Sequence, residues 1–143
     1  MKLQIQKIDV KSTHEGKMFP IFRDWDSIIP GYKPHMVYAT TLNPNLTKGP
    51  ILHEKRTGYM TAIGCHTTIE YLDNNVIREE KLCNESGDSF IIIIPAGIPI
   101  RIKNISENNI SIIINLPDIA WHPENQDTLK FENWEECLNY VKK

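Results

Sequence analysis

The sequence is short of cysteine, of charge of one sign and of long apolar runs, and each shortage removes a class of protein. Cys65, Cys83 and Cys137 are odd in number and none stands in a CxxC pair, which argues against a disulfide framework and against a cysteine-built zinc site. They are expected as packing residues, the usual fate of a free thiol. Acidic and basic residues nearly balance, 18 against 16, so there is no surplus of cations to neutralise a phosphate backbone and no nucleic-acid partner is expected. No window approaches the roughly 18 consecutive apolar residues of a membrane span. The opening MKLQIQKIDVK alternates polar with apolar residues, unlike the apolar stretch of a secretory leader. A cytoplasmic protein without a membrane partner is the expectation.

What remains is ordinary globular material. The 143 residues are 41% apolar, and a chain of this length buries roughly 68% of the surface its unfolded form exposes. It needs neither staple nor metal to fold. No internal repeat or linker divides residues 1–143, so one domain is expected.

Turn-forming clusters recur: HEGK near 14, NPNLTKGP at 43–50, DNN at 73–75, CNESGD at 83–88, PAG at 95–97, SENN at 106–109 and HPENQD at 122–127. Between them lie short segments rich in Ile, Val, Thr and Tyr, the pattern of an all-β sandwich or barrel with nine or ten strands. Leu3 and Ile5 alternate with Gln4 and Gln6, and Ile98, Ile100 and Ile102 alternate with Arg101 and Lys103, as half-buried strands do. Ile91–Ile94 and Ile112–Ile114 are apolar without interruption, so both faces of those strands are expected to be covered, one by the core and one by a further layer or a subunit. Only the C-terminus reads as a helix, with Trp134, Leu138 and Val141 on one face and Asn133 and Glu136 spaced as a capping box. Residues 115–130 read as an ordered crossing loop.

Two segments say more. KGPILHEKR (48–56) leads into GYMTAIG (58–64), and GDSFIIIIPAGIPIRIKN spans 87–104. Together they resemble the two signature motifs of the cupins, double-sheet jelly rolls also described as double-stranded β-helices. In the second motif Pro95, Gly97 and Asn104 take their usual places, while Ile100 stands where the family has a metal-binding His. In the first, Ile51, His53, Thr57 and Gly64 fall on the motif positions. One of four ligands is kept, and because Ile and Thr cannot replace a metal ligand, no bound metal and no cofactor are expected.

Within the cupins the chain resembles the sugar-nucleotide epimerases and ketoisomerases that act on dTDP-linked 4-keto sugars in deoxysugar and surface-polysaccharide biosynthesis. HEGKMFPI (14–21), MVYATTL (36–42) and NLPDIAWHPENQD (115–127) resemble further stretches of that family. The resemblance implies a cupin jelly roll with a short C-terminal helix, a nucleotide-sugar ligand, a homodimer, and isomerisation without a metal. Ile51 stands where these enzymes carry their first His, and Trp121 where they commonly carry Tyr.

Epimerisation or keto migration begins with removal of a proton beside a carbonyl, so a base and a group facing the enolate oxygen are needed. His53 is the candidate base, against the alternative of a hydrogen-bonded core histidine. Lys48, Lys55 and Arg56 bracket it as candidates for a diphosphate or the oxyanion, against a solvated charged face. Strand alternation places Lys55 on the His53 side and Arg56 on the other, unless a bulge intervenes. Tyr38 and Tyr59 can donate a proton or stack on a base, or pack in the core. Trp121, in a loop with His122, can stack on a nucleobase or anchor its loop; His14, His35 and His66 read as turn or surface residues. Two functions stay open: the isomerase, with His53, Tyr59 and Lys48 catalytic and Lys55, Arg56, Tyr38 and Trp121 binding substrate, and a non-catalytic module that binds a sugar nucleotide.

Overall fold

The computed structural model describes residues 3–142. In chain order the strands are β1 (Gln4–Lys7), β2 (Lys11–Thr13), β3 (Gly16–Met18), β4 (Tyr38–Leu42), β5 (Thr47–His53), β6 (Gly58–Ile63), β7 (Thr67–Asp73), β8 (Val76–Cys83), β9 (Phe90–Ile94), β10 (Ile100–Asn104), β11 (Ser111–Asn115) and β12 (Thr128–Lys130), followed by helix α1 (Trp134–Val141). Ten of the strands form two five-stranded sheets, β1-β9-β6-β11-β4 and β12-β5-β10-β7-β8, and β2 with β3 makes a separate hairpin. All named pairings are antiparallel. The expected all-β jelly roll with one short C-terminal helix is what forms.

Local chemistry explains the turns. The β7–β8 hairpin closes through Asn74 and Asn75, both at positive φ of 49° and 67°, the conformation a two-residue turn needs to follow strand twist and one that asparagine tolerates. Pro95–Gly97 makes a tight turn in which Ile98 N–H donates to Pro95 O at 3.4 Å and Gly97 takes φ 86°, a residue choice that suits a type II geometry.

Between the two sheets lies a core that includes Met60, Ile69, Leu82, Ile92, Ile94, Ile100, Ile102 and Ile113. Each fully buried side chain of this kind contributes roughly 1.5–3 kcal/mol. The run Ile91–Ile94 is divided as its continuous apolarity requires. Ile92 and Ile94 point into the core, while Ile91 and Ile93 join Ile8 and Tyr59 on the outer face. That outer face is covered by the chain itself, through Val10, Phe19, Ile21, Phe22, Ile28, Ile29 and Tyr32. The N-terminal strand likewise pairs with β9 of its own sheet. In the second run, Ile113 is buried but Ile112 is 41% exposed, so only one face of β11 is fully covered. The three cysteines are free and buried.

Helix α1 packs on the outside of the second sheet, Trp134 and Cys137 meeting Leu72 with Phe131 and Leu138 alongside. Asn133 caps it, its side chain accepting from Glu136 N–H at 2.9 Å, but the Glu136 carboxylate reaches back to Glu132 N–H at 3.2 Å. The reciprocal half of the box is therefore displaced by one residue.

Candidate active site

One end of the space between the sheets stays open as a cavity of about 450 Å³, continuous in its lining with a smaller, deeper recess of about 30 Å³. Tyr38, Lys48, Ile51 and His53 border both parts; Arg56, Trp121 and Lys130 border the wide part, and Met60, Ile102, Ile113 and Asn115 the deep one. No Asp or Glu borders either part among the described residues. A second hollow of about 420 Å³ lies by the N-terminal strands, but Lys7 and Lys17 there face Asp9 and Asp88, so its charges cancel.

Strand β5 supplies much of the wall. Its pairing with β10 matches Ile51 to Ile100 and Lys48 to Ile102, with a register irregularity between. This bulge sets two residues of β5 three apart, Lys48 and Ile51, on the cavity side, as plain alternation would not. Gly49 sits at the irregularity with φ 112°, and a Cβ there would stand 2.7 Å from Ile100 O, so only glycine fits. Strand β12, three residues long, pairs with β5 so that Thr128 lies opposite His53 and Lys130 opposite Ile51.

His53 ends β5 and is held on both sides. Its backbone carbonyl accepts from Gly97 N–H at 2.8 Å. Its ring Nδ1 lies 2.9 Å from an Arg56 guanidinium nitrogen and 3.1 Å from Thr128 Oγ1, and Arg56 also donates to Thr128 Oγ1 at 3.1 Å. Burial, the Arg56 charge and the Lys48 charge together push the His53 pKa down to about 4, Asp127 opposing them. The ring is therefore neutral at neutral pH.

Arg56 corrects the sequence-based assignment of faces. Alternation sends Lys55 to the His53 side and Arg56 away from it, but β5 stops at His53 and residues 54–57 bend. Arg56 turns inward and is 5% exposed, its Nε 3.5 Å from Asp127 Oδ1. Lys55 turns outward, its Nζ 3.4 Å from the side-chain oxygen of Asn125, and does not border the cavity. Asp127 builds the bend: its carboxylate accepts from Lys55 N–H at 3.4 Å and Arg56 N–H at 3.2 Å, and its carbonyl from Glu54 N–H at 2.9 Å.

Tyr59 is the second correction. It projects to the outer face of its sheet, where its hydroxyl donates to Ile21 O at 2.8 Å and its ring stacks on Tyr32 with centroids 5.2 Å apart. It is out of reach of the cavity because Met60, next along β6, takes the inward position. Tyr38 does reach it. Its oxygen lies 2.8 Å from Asn115 Nδ2, and Asn115 Oδ1 accepts from Tyr59 N–H at 3.0 Å. Since a backbone N–H can only donate, the asparagine amide is oriented, and Tyr38 keeps its own phenol proton for a ligand.

The structure thus gathers Tyr38, Lys48, His53, Arg56 and Trp121 at one hollow and leaves out Lys55 and Tyr59. It adds Lys130, Thr128 and Gln126, all within the stretch 115–130 that reads in sequence as a crossing loop. Burial, and then Lys130, lower the Lys48 pKa. Trp121 stands at the mouth, 43% exposed. His35 and His66 lie elsewhere, on Asp118 O at 2.6 Å and near Glu85 at 3.9 Å.

The motif resemblance implies a metal site at this place, and these residues do not suit one. Ile51 walls the cavity and Ile100 is fully buried in the core, so His53 stands without fellow ligands. Among the described residues no cluster of three or more His, Cys, Asp or Glu is placed to hold an ion.

No family model matches the chain, and no curated protein matches it. Solved structures do, and they define the class: the chain has the cupin-type fold found in dTDP-sugar 3,4-ketoisomerases and epimerases. A 3,4-ketoisomerase from Helicobacter canadensis matches with a TM-score of 0.72 at 15% identity, covering 100% of this chain and 99% of that one. QdtA, a 3,4-ketoisomerase from Thermoanaerobacterium thermosaccharolyticum, solved as a His-to-Asn mutant with TDP-4-keto-6-deoxyglucose, matches at 0.70 with 15% identity over 98% and 94% of the two chains. ChmJ, a 3′-monoepimerase from Streptomyces bikiniensis solved with dTDP, matches at 0.73 with 11% identity over 95% and 72%.

Proposed function

We propose that this protein isomerises a nucleoside-diphosphate-linked keto sugar, by epimerisation or keto migration, through acid–base chemistry that uses no metal. One observation carries the reading: on a fold shared with sugar-nucleotide isomerases, a neutral histidine and a phenol face a hollow bordered by two lysines and an arginine and, among the described residues, by no carboxylate. Lys130 in the wide part suits a diphosphate, Trp121 at the mouth suits a nucleobase, and Lys48, His53 and Tyr38, which also border the deep recess, suit the keto sugar. Removal of a proton beside the ketone leaves negative charge on oxygen, and donors fixed in place stabilise that charge more than freely reorienting water does.

A place in deoxysugar or surface-polysaccharide biosynthesis, in the cytoplasm, follows from this substrate class. A homodimer fits the reading, supported by the apolar outer surface at Ile112, 41% exposed, and Val37, 66% exposed. No nucleic-acid partner is proposed, in keeping with the balance of 18 acidic against 16 basic residues.

The second reading, a module that binds a sugar nucleotide without converting it, is favoured by Ile51, an inert wall residue beside His53. Incubation with TDP-4-keto-6-deoxyglucose in heavy water separates the two. Deuterium entering the carbons beside the ketone supports the isomerase; binding with no deuterium entry supports the module and overturns the proposal.

A further inference from the structure

We infer that Arg56 holds His53 as a hydrogen-bond donor toward the ketone oxygen, and that the amine of Lys48, in place of the imidazole, takes the carbon-bound proton. The inference rests on the isomerase reading above and assigns its chemical roles. The starting point is a polarity. A guanidinium has donors and no acceptor, and one of its nitrogens lies 2.9 Å from His53 Nδ1. Nδ1 must therefore be the acceptor in that pair, and a neutral ring then carries its proton on Nε2. Thr128 Oγ1, 3.1 Å from both Nδ1 and Arg56, completes the same arrangement. Nε2 has no partner among the described residues, and the ring borders both parts of the cavity.

A histidine base needs the opposite arrangement, a bare nitrogen toward substrate and a proton on the far side held by an acceptor. Here the far side meets a cation, and the nearest carboxylate, Asp127, is engaged with Arg56 and with the backbone of residues 55 and 56. Arg56 is thus a positioning residue. It cannot move without breaking its contact with Asp127, both side chains being more than nine-tenths buried.

The other titratable groups bordering the cavity are Tyr38, Lys48, Arg56 and Lys130. A guanidinium does not serve as a base. Tyr38 is a donor, because its oxygen already accepts from Asn115. Lys48 borders the deep recess as well as the wide part, whereas Lys130 borders only the wide part. The proximity of two amines also favours loss of one proton, in the direction burial already pushes Lys48.

The step balances. Lys48, in its amine form, takes the proton from a carbon beside the ketone, the C–H pair becomes the C=C bond, and the carbonyl π pair moves onto oxygen, which His53 Nε2–H hydrogen-bonds. Return of the proton to the same carbon from the ammonium closes the exchange. Return to the former carbonyl carbon, with the neighbouring hydroxyl proton passing to the enolate oxygen, exchanges ketone and hydroxyl.

Two measurements on the full chain test this. In histidine-15N-labelled protein at pH 7, with His53→Gln assigning the resonance, the inference expects a protonated Nε2 and a bare Nδ1, and a mixture of tautomers in Arg56→Met. A proton on Nδ1 in the unmutated chain overturns it, whatever becomes of the variant. In heavy water with TDP-4-keto-6-deoxyglucose, Lys48→Arg removes the amine base and leaves Lys130 for the diphosphate, so TDP binding is expected within threefold of wild type and deuterium entry to fall by about 100-fold or more. Exchange within tenfold of wild type overturns the Lys48 role. Absence of exchange in the wild-type chain defeats the isomerase reading and the Lys48 role together, while the nitrogen resonances decide the His53 tautomer independently.

Discussion

The two faces of the β1-β9-β6-β11-β4 sheet use tyrosine in opposite ways. On the outer face Tyr59 donates its proton to Ile21 O and packs against Tyr32 and Phe22, so its hydroxyl is spent on holding the covering segment. On the inner face Tyr38 accepts from Asn115 and keeps its proton free beside Lys48 and His53. A single asparagine separates the two, accepting from the Tyr59 backbone and donating to the Tyr38 oxygen. The same residue type is structural where its polar atom is satisfied within the chain and available for chemistry where it is not.

The largest expected effect falls on the inner face. His53→Asn should lower deuterium exchange into a keto-sugar nucleotide by about 100-fold or more, the usual contribution of a positioned proton donor, with the melting temperature little changed. Tyr59→Ala should do the reverse. Removing a buried aromatic ring costs about 3–5 kcal/mol in chemical denaturation, and exchange per folded molecule should stay the same. A Tyr59 variant that folds normally but loses exchange would erase the contrast between the faces.

Asp127→Ala sharpens it from below. It leaves the Arg56 guanidinium buried beside a histidine without its ionic partner, a change that costs about 3 kcal/mol, and it should loosen the bend at residues 54–56, so stability and exchange fall together. Tyr38→Phe is the smaller counterpart, losing a hydrogen bond of about 1 kcal/mol while exchange drops by about tenfold.

The pH dependence of stability gives the finest test. The His53 pKa is lowered from 6.5 to about 4, so the unfolded chain binds the proton first. Stability contributed by the neutral ring is present above pH 6.5, declines as pH falls below it and is lost by about pH 4. Denaturation midpoints measured across that window should fall less steeply in His53→Gln than in wild type.

The fold was legible because its signals are local. Asn74 and Asn75 mark a hairpin, Pro95 and Gly97 mark a turn, and alternation in Ile98–Ile102 marks a face. The uninterrupted run Ile91–Ile94 announced two covered faces, but not that the chain's own residues 8–32 supply the cover, since a sequence does not say which layer meets which. The site was legible in part: Tyr38 and His53 lie on strands and border the cavity, whereas Tyr59, also on a strand, faces outward, because alternation gives two faces and does not say which one lines the hollow. It failed just past a strand end, at Lys55 and Arg56, where alternation no longer holds and a carboxylate 71 residues away from Arg56 sets the direction of the side chain. Lys130 carries no signal in the sequence because a strand of three residues is too short to show a period.

The cocrystal structure of the protein with TDP tests the central claim most directly. The diphosphate is expected against Lys130 and the nucleobase against Trp121, with the recess bordered by Lys48, His53 and Tyr38 left for the sugar. Nucleotide bound in another hollow, or this cavity left without it at saturating concentration, would contradict it.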